Sequence, residues 1–190
     1  MTTPQHNLAV IKVVGIGGGG TNAIKRMIGE GMTGVDFIAL NTDEQDLLDC
    51  DAPTKLDIGQ STTRGLGAGA DPAVGERAAR DNSQDIEDVL TGADMVFVTA
   101  GEGGGTGTGG APIVAGIARD LGALTVAVVT KPFSFEGKRR AENAANGIEK
   151  LRDACDTLIT IPNDRLLQQE DKTISCLLYT SDAADERSSV

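Results

Sequence analysis

Met95-Val-Phe-Val-Thr-Ala-Gly-Glu-Gly-Gly-Gly-Thr-Gly-Thr-Gly-Gly-Ala-Pro112 decides the reading of this chain. A β-branched apolar run predicts a strand from Met95 to Thr99, residues 101–110 are rich in glycine, and Ala111-Pro112 opens a predicted helix running to Leu121. The glycines therefore stand where a strand hands over to a helix. Without Cβ atoms the main chain can take φ > 0 and lie against a ligand, and N–H groups at a helix N-terminus carry partial positive charge. A loop of this build binds phosphate. Thr106 and Thr108 add hydroxyl donors beside Gly104, Gly105 and Gly107.

Working outward, strand-like runs recur at Leu8–Val14, Val35–Leu40, Leu124–Thr130 and Thr157–Ile161. Helical patterns lie between them at Asn22–Glu30, Pro72–Leu90 and Lys138–Asp153. Strands alternating with helices specify an α/β fold, Rossmann-like, with three layers and a mostly parallel sheet covered on both faces. Pro72 after Asp71 reads as the first helical residue after an N-cap, and Ile86, Val89 and Leu90 form an inward stripe. In such sheets ligands bind at the carboxyl ends of the strands, so every strand-to-helix loop lies on one rim.

The first rim loop, Gly15-Ile-Gly-Gly-Gly-Gly-Thr-Asn22, satisfies G-x-G-x-x-G after a strand, and Asp43 follows the second strand. Alone, these features predict an NAD(P)-binding oxidoreductase, or only a turn that lets strand and helix pack closely. The second glycine loop changes the balance. Two such loops on one rim can grip a nucleoside triphosphate from two sides, Gly18, Gly19, Gly20, Thr21 and Asn22 on one part and Gly104–Thr108 on the other. No G-x-x-x-x-G-K-[ST] is present, so no Walker lysine serves it, and charge would be met by amides, helix termini and Mg2+.

Three further rim segments carry candidates. Thr63-Arg-Gly-Leu-Gly-Ala-Gly-Ala-Asp-Pro72 can close over a terminal phosphate, or be a glycine loop capped by Asp71. Lys131–Arg140 places Glu136 and Arg140 four apart, either with Glu136 accepting from ribose hydroxyls and Arg140 over the base or sugar, or forming an i,i+4 ion pair on a solvated face. Asn163 offers a donor and an acceptor suited to a purine edge, or else it or Asp164 caps a helix.

Composition narrows the partners. The net charge of −11 over 190 residues argues against nucleic acid and anionic membrane surfaces. Cys50, Cys155 and Cys176 are widely spaced and His6 is the single histidine, which supports neither a disulfide framework nor a zinc site. A reducing cytoplasm fits. The amino terminus has no signal-peptide pattern, and the apolar stretch near Leu121–Val129 is far short of a membrane span, so no membrane insertion is expected.

Assembled, the chain resembles the FtsZ family, the bacterial relatives of tubulin, and most closely its actinobacterial members. The carrying segments are Ile11–Gly20, Asn41-Thr-Asp43, Thr63–Pro72, Ala93–Gly109 with its Gly-Gly-Gly-Thr-Gly-Thr-Gly run, Lys131–Arg140 and Ile161–Leu167. The resemblance implies a tubulin/FtsZ GTPase domain that polymerises head to tail into the division ring at mid-cell, with GTP/GDP and Mg2+ as ligands and division-ring proteins as partners. Carried over by position, it puts phosphates on Gly18, Gly19, Gly20, Thr21, Asn22, Gly105, Thr106 and Gly107. It puts ribose on Glu136 and Arg140, and guanine on Asn163. Asn41 and Asp43 would line the pocket, and Gly69 and Ala70 would lie near the γ-phosphate. The acids that polarise the attacking water would come from a partner subunit, so no catalytic residue is expected in this stretch.

From Cys176 the sequence departs from the family and resembles translated read-through of an adaptor. This predicts a GTP-binding domain over 1–175, truncated before the family's central helix and second domain, and an unrelated tail over 176–190. The resemblance further implies that the central helix contacts guanine and covers one side of the domain, so that base selection is weakened and an apolar strip exposed without it, and that turnover by this stretch alone is low because the loop bearing the catalytic acids and the second domain are missing. A nonenzymatic scaffold that uses nucleotide only for stability is the remaining alternative.

Overall fold

The structure, a computed structural model, describes residues 9–168. Leu8, Cys176 and the expected tail lie outside the described residues. Six parallel strands form one sheet, in chain order β1 (Ile11–Ile16), β2 (Asp36–Asn41), β3 (Thr54–Asp57), β4 (Met95–Gly101), β5 (Leu124–Lys131) and β6 (Thr157–Pro162). Their spatial order is β3-β2-β1-β4-β5-β6. The helices are α1 (Gly17–Gly29), α2 (Glu44–Leu48), α3 (Pro72–Asp81), α4 (Ser83–Leu90), α5 (Thr106–Asp120) and α6 (Lys138–Ala154).

Two apolar clusters make the three layers. On one face Val14, Ile16, Val96, Val98 and Val129 meet Ala78, Ile86, Leu90, Val114 and Leu151 from α3 to α6. On the other, Val13, Phe37 and Ala39 meet Ile24 of α1 and Leu47 of α2. Burying a side chain such as Ile86 or Leu90 contributes about 1.5–3 kcal/mol, so the larger cluster dominates. The anticipated cap is formed: Asp71 Oδ1 accepts from the Ala73 N–H at 2.9 Å.

Several boundaries differ from the sequence expectation, each for a local reason. The single helix expected over Pro72–Leu90 is two, because Asn82 sits between them with its Nδ2 donating to Ala78 O at 2.8 Å and Ile58 O at 3.1 Å. An asparagine that satisfies a carbonyl from its side chain competes with the helix itself. Strand β3 and helix α2 were not anticipated. Edge strand β3 is four residues long, with Leu56 its one apolar side chain packed on the core, so alternation is faint. Both glycine-rich loops are partly helix: α1 starts at Gly17, five residues before Asn22, and α5 starts at Thr106 with Pro112 inside it.

The glycines allow backbone to pack on backbone. Gly17 has φ +68, and a Cβ there would lie 2.9 Å from the Gly107 nitrogen. A Cβ on Gly107 would lie 2.7 Å from Gly101 O and 3.3 Å from Ile16 O. The starts of α1 and α5 are thus in contact through main chain.

One face of the sheet is half bare. On the side of α1, the paired residues Val128 and Ile159 and their neighbours Val126 and Ile161 stay partly or largely exposed, Ile159 at 48%. Among the described residues no helix seats on β5 and β6 there.

Gly17→Ala is expected to destabilise by about 2 kcal/mol, combining left-handed strain with overpacking. Gly116→Ala, in α5 with open space around its Cβ position, is expected to stabilise by about 0.5–1 kcal/mol. Thermal unfolding of the two variants should move in opposite directions.

Candidate functional site

Strand β1 lies between β2 and β4, with Ile16 beside Ala100. The chain leaves β1 into α1 on one face and leaves β4 into α5 on the other. This is the point where the winding of the sheet reverses, and it opens a crevice at the carboxyl ends of two neighbouring strands. Both glycine segments emerge into it side by side.

What they present is main chain. Asp43 and Asp71 cap α2 and α3, and the other four described helices have no side-chain cap; of these, α1, after Ile16, and α5, after Gly105, are the two that start side by side from neighbouring strands. The first-turn N–H groups of two adjacent helices therefore point onto the rim without an internal carboxylate to answer them. Such an end is an anion site in waiting. The space beyond Gly104 and Gly69 is open, with nothing within 4 Å of a Cβ built on either.

The threonine hydroxyls are committed inside the protein. Thr21 Oγ1 donates within α1, 3.1 Å from both Gly17 O and Gly18 O. Thr106 Oγ1 shares a 2.6 Å hydrogen bond with Thr42 Oγ1, and Thr108 Oγ1 accepts from the Gly103 N–H at 2.8 Å. These residues hold the segments in shape, leaving the backbone to face the rim.

The loop over residues 63–71 is brought to the same rim. Arg64, Gly65, Gly67 and Gly69 all have positive φ. Gly67 N–H and Thr63 Oγ1 donate to Thr42 O at 3.1 and 3.0 Å, and Glu44 N–H donates to Gly65 O at 3.1 Å. Asn143 of α6 spans two loops, its Nδ2 donating to Ala70 O at 3.2 Å and reaching Gly103 O at 3.5 Å.

Asn41 is buried, its Oδ1 accepting from Thr42 N–H at 2.9 Å and its Nδ2 donating to Asp46 at 3.2 Å. Asp43 Oδ1 accepts from Gln45 and Asp46 N–H at 3.0 and 3.3 Å. Glu136 accepts from the Phe133 N–H at 2.7 Å and pairs with Arg140, both side chains largely buried rather than on a solvated face. The turn Asn163–Gln168 follows β6, and Asp164 Oδ1 accepts from the Ser134 N–H at 3.0 Å, tying Asn163's turn to the segment that carries Glu136.

Sequence reading passed over Thr42, Asn143 and Glu102. Thr42 is wholly buried and the partners of its hydroxyl and carbonyl lie 21 to 64 residues away, so no local pattern exposes it. Glu102 interrupts the glycine run, and that interruption was the available signal. Its side chain is 5% exposed and both carboxylate oxygens are buried without a hydrogen-bond partner. Burial pushes its pKa up to about 7; the Thr108 hydroxyl, near but outside bonding geometry, tempers the rise.

Residues 10–171 match the family model described as Tubulin/FtsZ family, GTPase domain. The structure is similar to an empty FtsZ dimer from M. jannaschii, with 45% identity and a TM-score of 0.86 over 95% of this chain and 54% of that one. A single-residue mutant of FtsZ from M. jannaschii matches equally well, at 45% identity and TM-score 0.86, over 96% of this chain and 56% of that one. CetZ1 from Haloferax volcanii, a GDP-bound monomer, shares the fold at 24% identity and TM-score 0.79, over 93% of this chain and 58% of that one. The chain spans about half the length of these structures. An oxidoreductase reading finds no support among them, and Asp43, which it required on a ribose, caps α2 instead. With its reversal of winding at β1 and β4 and a family match along nearly all its described length, the chain belongs to the Tubulin/FtsZ family as its GTPase domain.

Proposed function

We propose that the rim binds GTP and GDP, and that this stretch is the nucleotide-holding part of a cytoskeletal GTPase that polymerises head to tail. The observation that carries the reading is the pair of uncapped helix N-termini emerging side by side from β1 and β4. Amides of Gly18–Asn22 would take one part of the phosphate chain and those of Gly104–Thr108 the other. Gly69 and Ala70 would stand near the terminal phosphate, with Asn143 fixing their distance from the second segment.

Glu136 and Arg140 would meet the ribose, and Asn163 the guanine edge. The ion pair and the Asp164 hydrogen bond support this by bringing the two segments together as one wall. A carboxamide presents both a donor and an acceptor, which distinguishes guanine from adenine by pattern rather than by size. Asn41 and Asp43 would line the pocket from β2. Among the described residues no group of three or more His, Cys, Asp or Glu could hold a metal, so Mg2+ would ride on the phosphate oxygens.

Hydrolysis requires an attacking water in line with the γ-phosphate and a group to orient it. We propose that the orienting acids come from a neighbouring subunit, so that turnover by this chain alone is slow and rises when intact FtsZ is added. The dimer among the matched structures supports self-association as the route. Division-ring partners and a mid-cell location follow from the same reading. The half-bare face at Val126, Val128, Ile159 and Ile161 is where the family's central helix would seat, and residues 176–190 would be foreign to the domain.

Thermal shift with Mg2+ tests the reading directly. GTP and GDP should each raise the melting temperature by several degrees, ATP and NAD by little. A hundredfold excess over Kd stabilises by about 2.7 kcal/mol. Protection by NAD but not GTP would overturn it. Asn163→Ala should narrow the GTP-over-ATP preference, by about tenfold if one carboxamide pair is lost from the base.

A further inference from the structure

Glu102 is the one acid in the described structure whose two carboxylate oxygens are both buried and unpartnered. It occupies the hinge between β4 and the second glycine segment, its backbone N–H donating to Thr130 O of β5 at 2.9 Å. Its side chain lies where α5 and α6 meet: a Cβ built on Gly147 of α6 would come 2.5 Å from Glu102 Oε2 and would also press on Thr108 of α5. Glycine at 147 lets α6 close over the carboxylate.

No charge meets it from these elements. Thr108, Gly147 and the Thr130 carbonyl are neutral, and no ionic attraction or repulsion contributes to its raised pKa. The nearby charged groups of α6 are engaged or face outward: Arg140 pairs with Glu136, Lys150 donates to Glu76 at 3.0 Å, and Glu149, Lys150 and Asp153 line an open groove. That groove, a cavity of about 530 Å3, reaches Thr108 and Gly147, which gives solvent protons a short way in. Lys131, at the end of β5, is exposed.

We propose that Glu102 is a proton-coupled positioning residue for the second glycine segment: its neutral form seats that segment against α6, and a nucleotide bound there draws one proton from solvent onto the carboxylate. The inference rests on the nucleotide reading above. Glu102 precedes this segment directly and its side chain lies by Thr108 and Gly147, so an anion held on the amides of Gly104–Thr108 would sit within one turn of chain of the carboxylate. Two negative charges that share a poorly solvated region disfavour each other's ionisation. At pH 8 the phosphates do not take up a proton, and Glu102 can. Free protein near pH 8 carries Glu102 mostly ionised, bound protein carries it protonated, and the proton comes from the buffer.

Isothermal titration of the full 190-residue chain with GDP and Mg2+, in two buffers of different ionisation enthalpy, measures that proton. At pH 8 the wild type should take up close to one proton per nucleotide more than Glu102→Gln, and at pH 5.5 the two should agree. The affinity ratio of variant to wild type should grow about fivefold from pH 7 to pH 8, as expected for a group titrating near 7 in the free protein. Equal proton counts at pH 8 overturn this inference alone. Absence of binding by both proteins defeats the nucleotide reading and this inference with it.

Ligand-free unfolding gives a second measurement. The folded form keeps the Glu102 proton up to about pH 7 and the unfolded chain releases it near its ordinary value of 4.5, so the folded state binds more protons between these limits. Stability from this group therefore falls as pH rises through that window. The melting temperature of the wild type should drop below that of Glu102→Gln as pH goes from 5 to 8, and a constant difference would overturn the proposal. Should the variant fail to fold, the wild type's own proton uptake must climb between pH 6 and pH 8, and a flat count would overturn it.

Discussion

Two stretches of main chain touching at the centre of the sheet set the terms for everything around them. Gly17 and Gly107 bring the first turn of α1 within contact of the first turn of α5, at a separation that no side chain permits. Because β1 and β4 are neighbours and their helices go to opposite faces, this contact falls where the crevice opens. Fold and site share one constraint. A residue with a Cβ at that contact would push apart the helix ends whose amides are proposed to hold the phosphates.

The remaining rim is arranged around that contact by a few buried polar side chains. Thr42 joins β2 to Thr106 and holds the 63–71 loop through its carbonyl. Asn143 ties the same loop to Gly103 from the other side. Each hydrogen bond contributes only about 1 kcal/mol, but an orphaned partner in a buried setting costs more than that. The loops are therefore fixed by connection more than by contact area, which suits a site whose ligand must enter and leave.

Much of this was legible in the sequence, for identifiable reasons. Alternation of β-branched runs with helical patterns specified the parallel sheet, and the glycine segments marked the ligand-binding rim at the carboxyl ends of its strands. The Asp71-Pro72 pair marked a helix start that is formed as read. Edge strand β3 was missed because Thr54-Lys-Leu-Asp57 has a single core-facing apolar residue. Helix starts inside the glycine segments were missed because intrinsic propensity opposes helix at Gly17–Gly20, and there tertiary packing overrides it. Thr42 and Asn143 act through partners distant in sequence, so local pattern could not find them, whereas Glu102 showed only as a break in the glycine run.

The partly wet face around Val126, Val128, Ile159 and Ile161 has a thermodynamic corollary. Heat-capacity change on unfolding tracks apolar surface newly hydrated, at about 0.45 cal/K/mol per Å2. Side chains already in water add little to it. The described domain should consequently have a shallower dependence of free energy on temperature than a fully enclosed α/β domain of equal length, trading height at its optimum for breadth toward the cold.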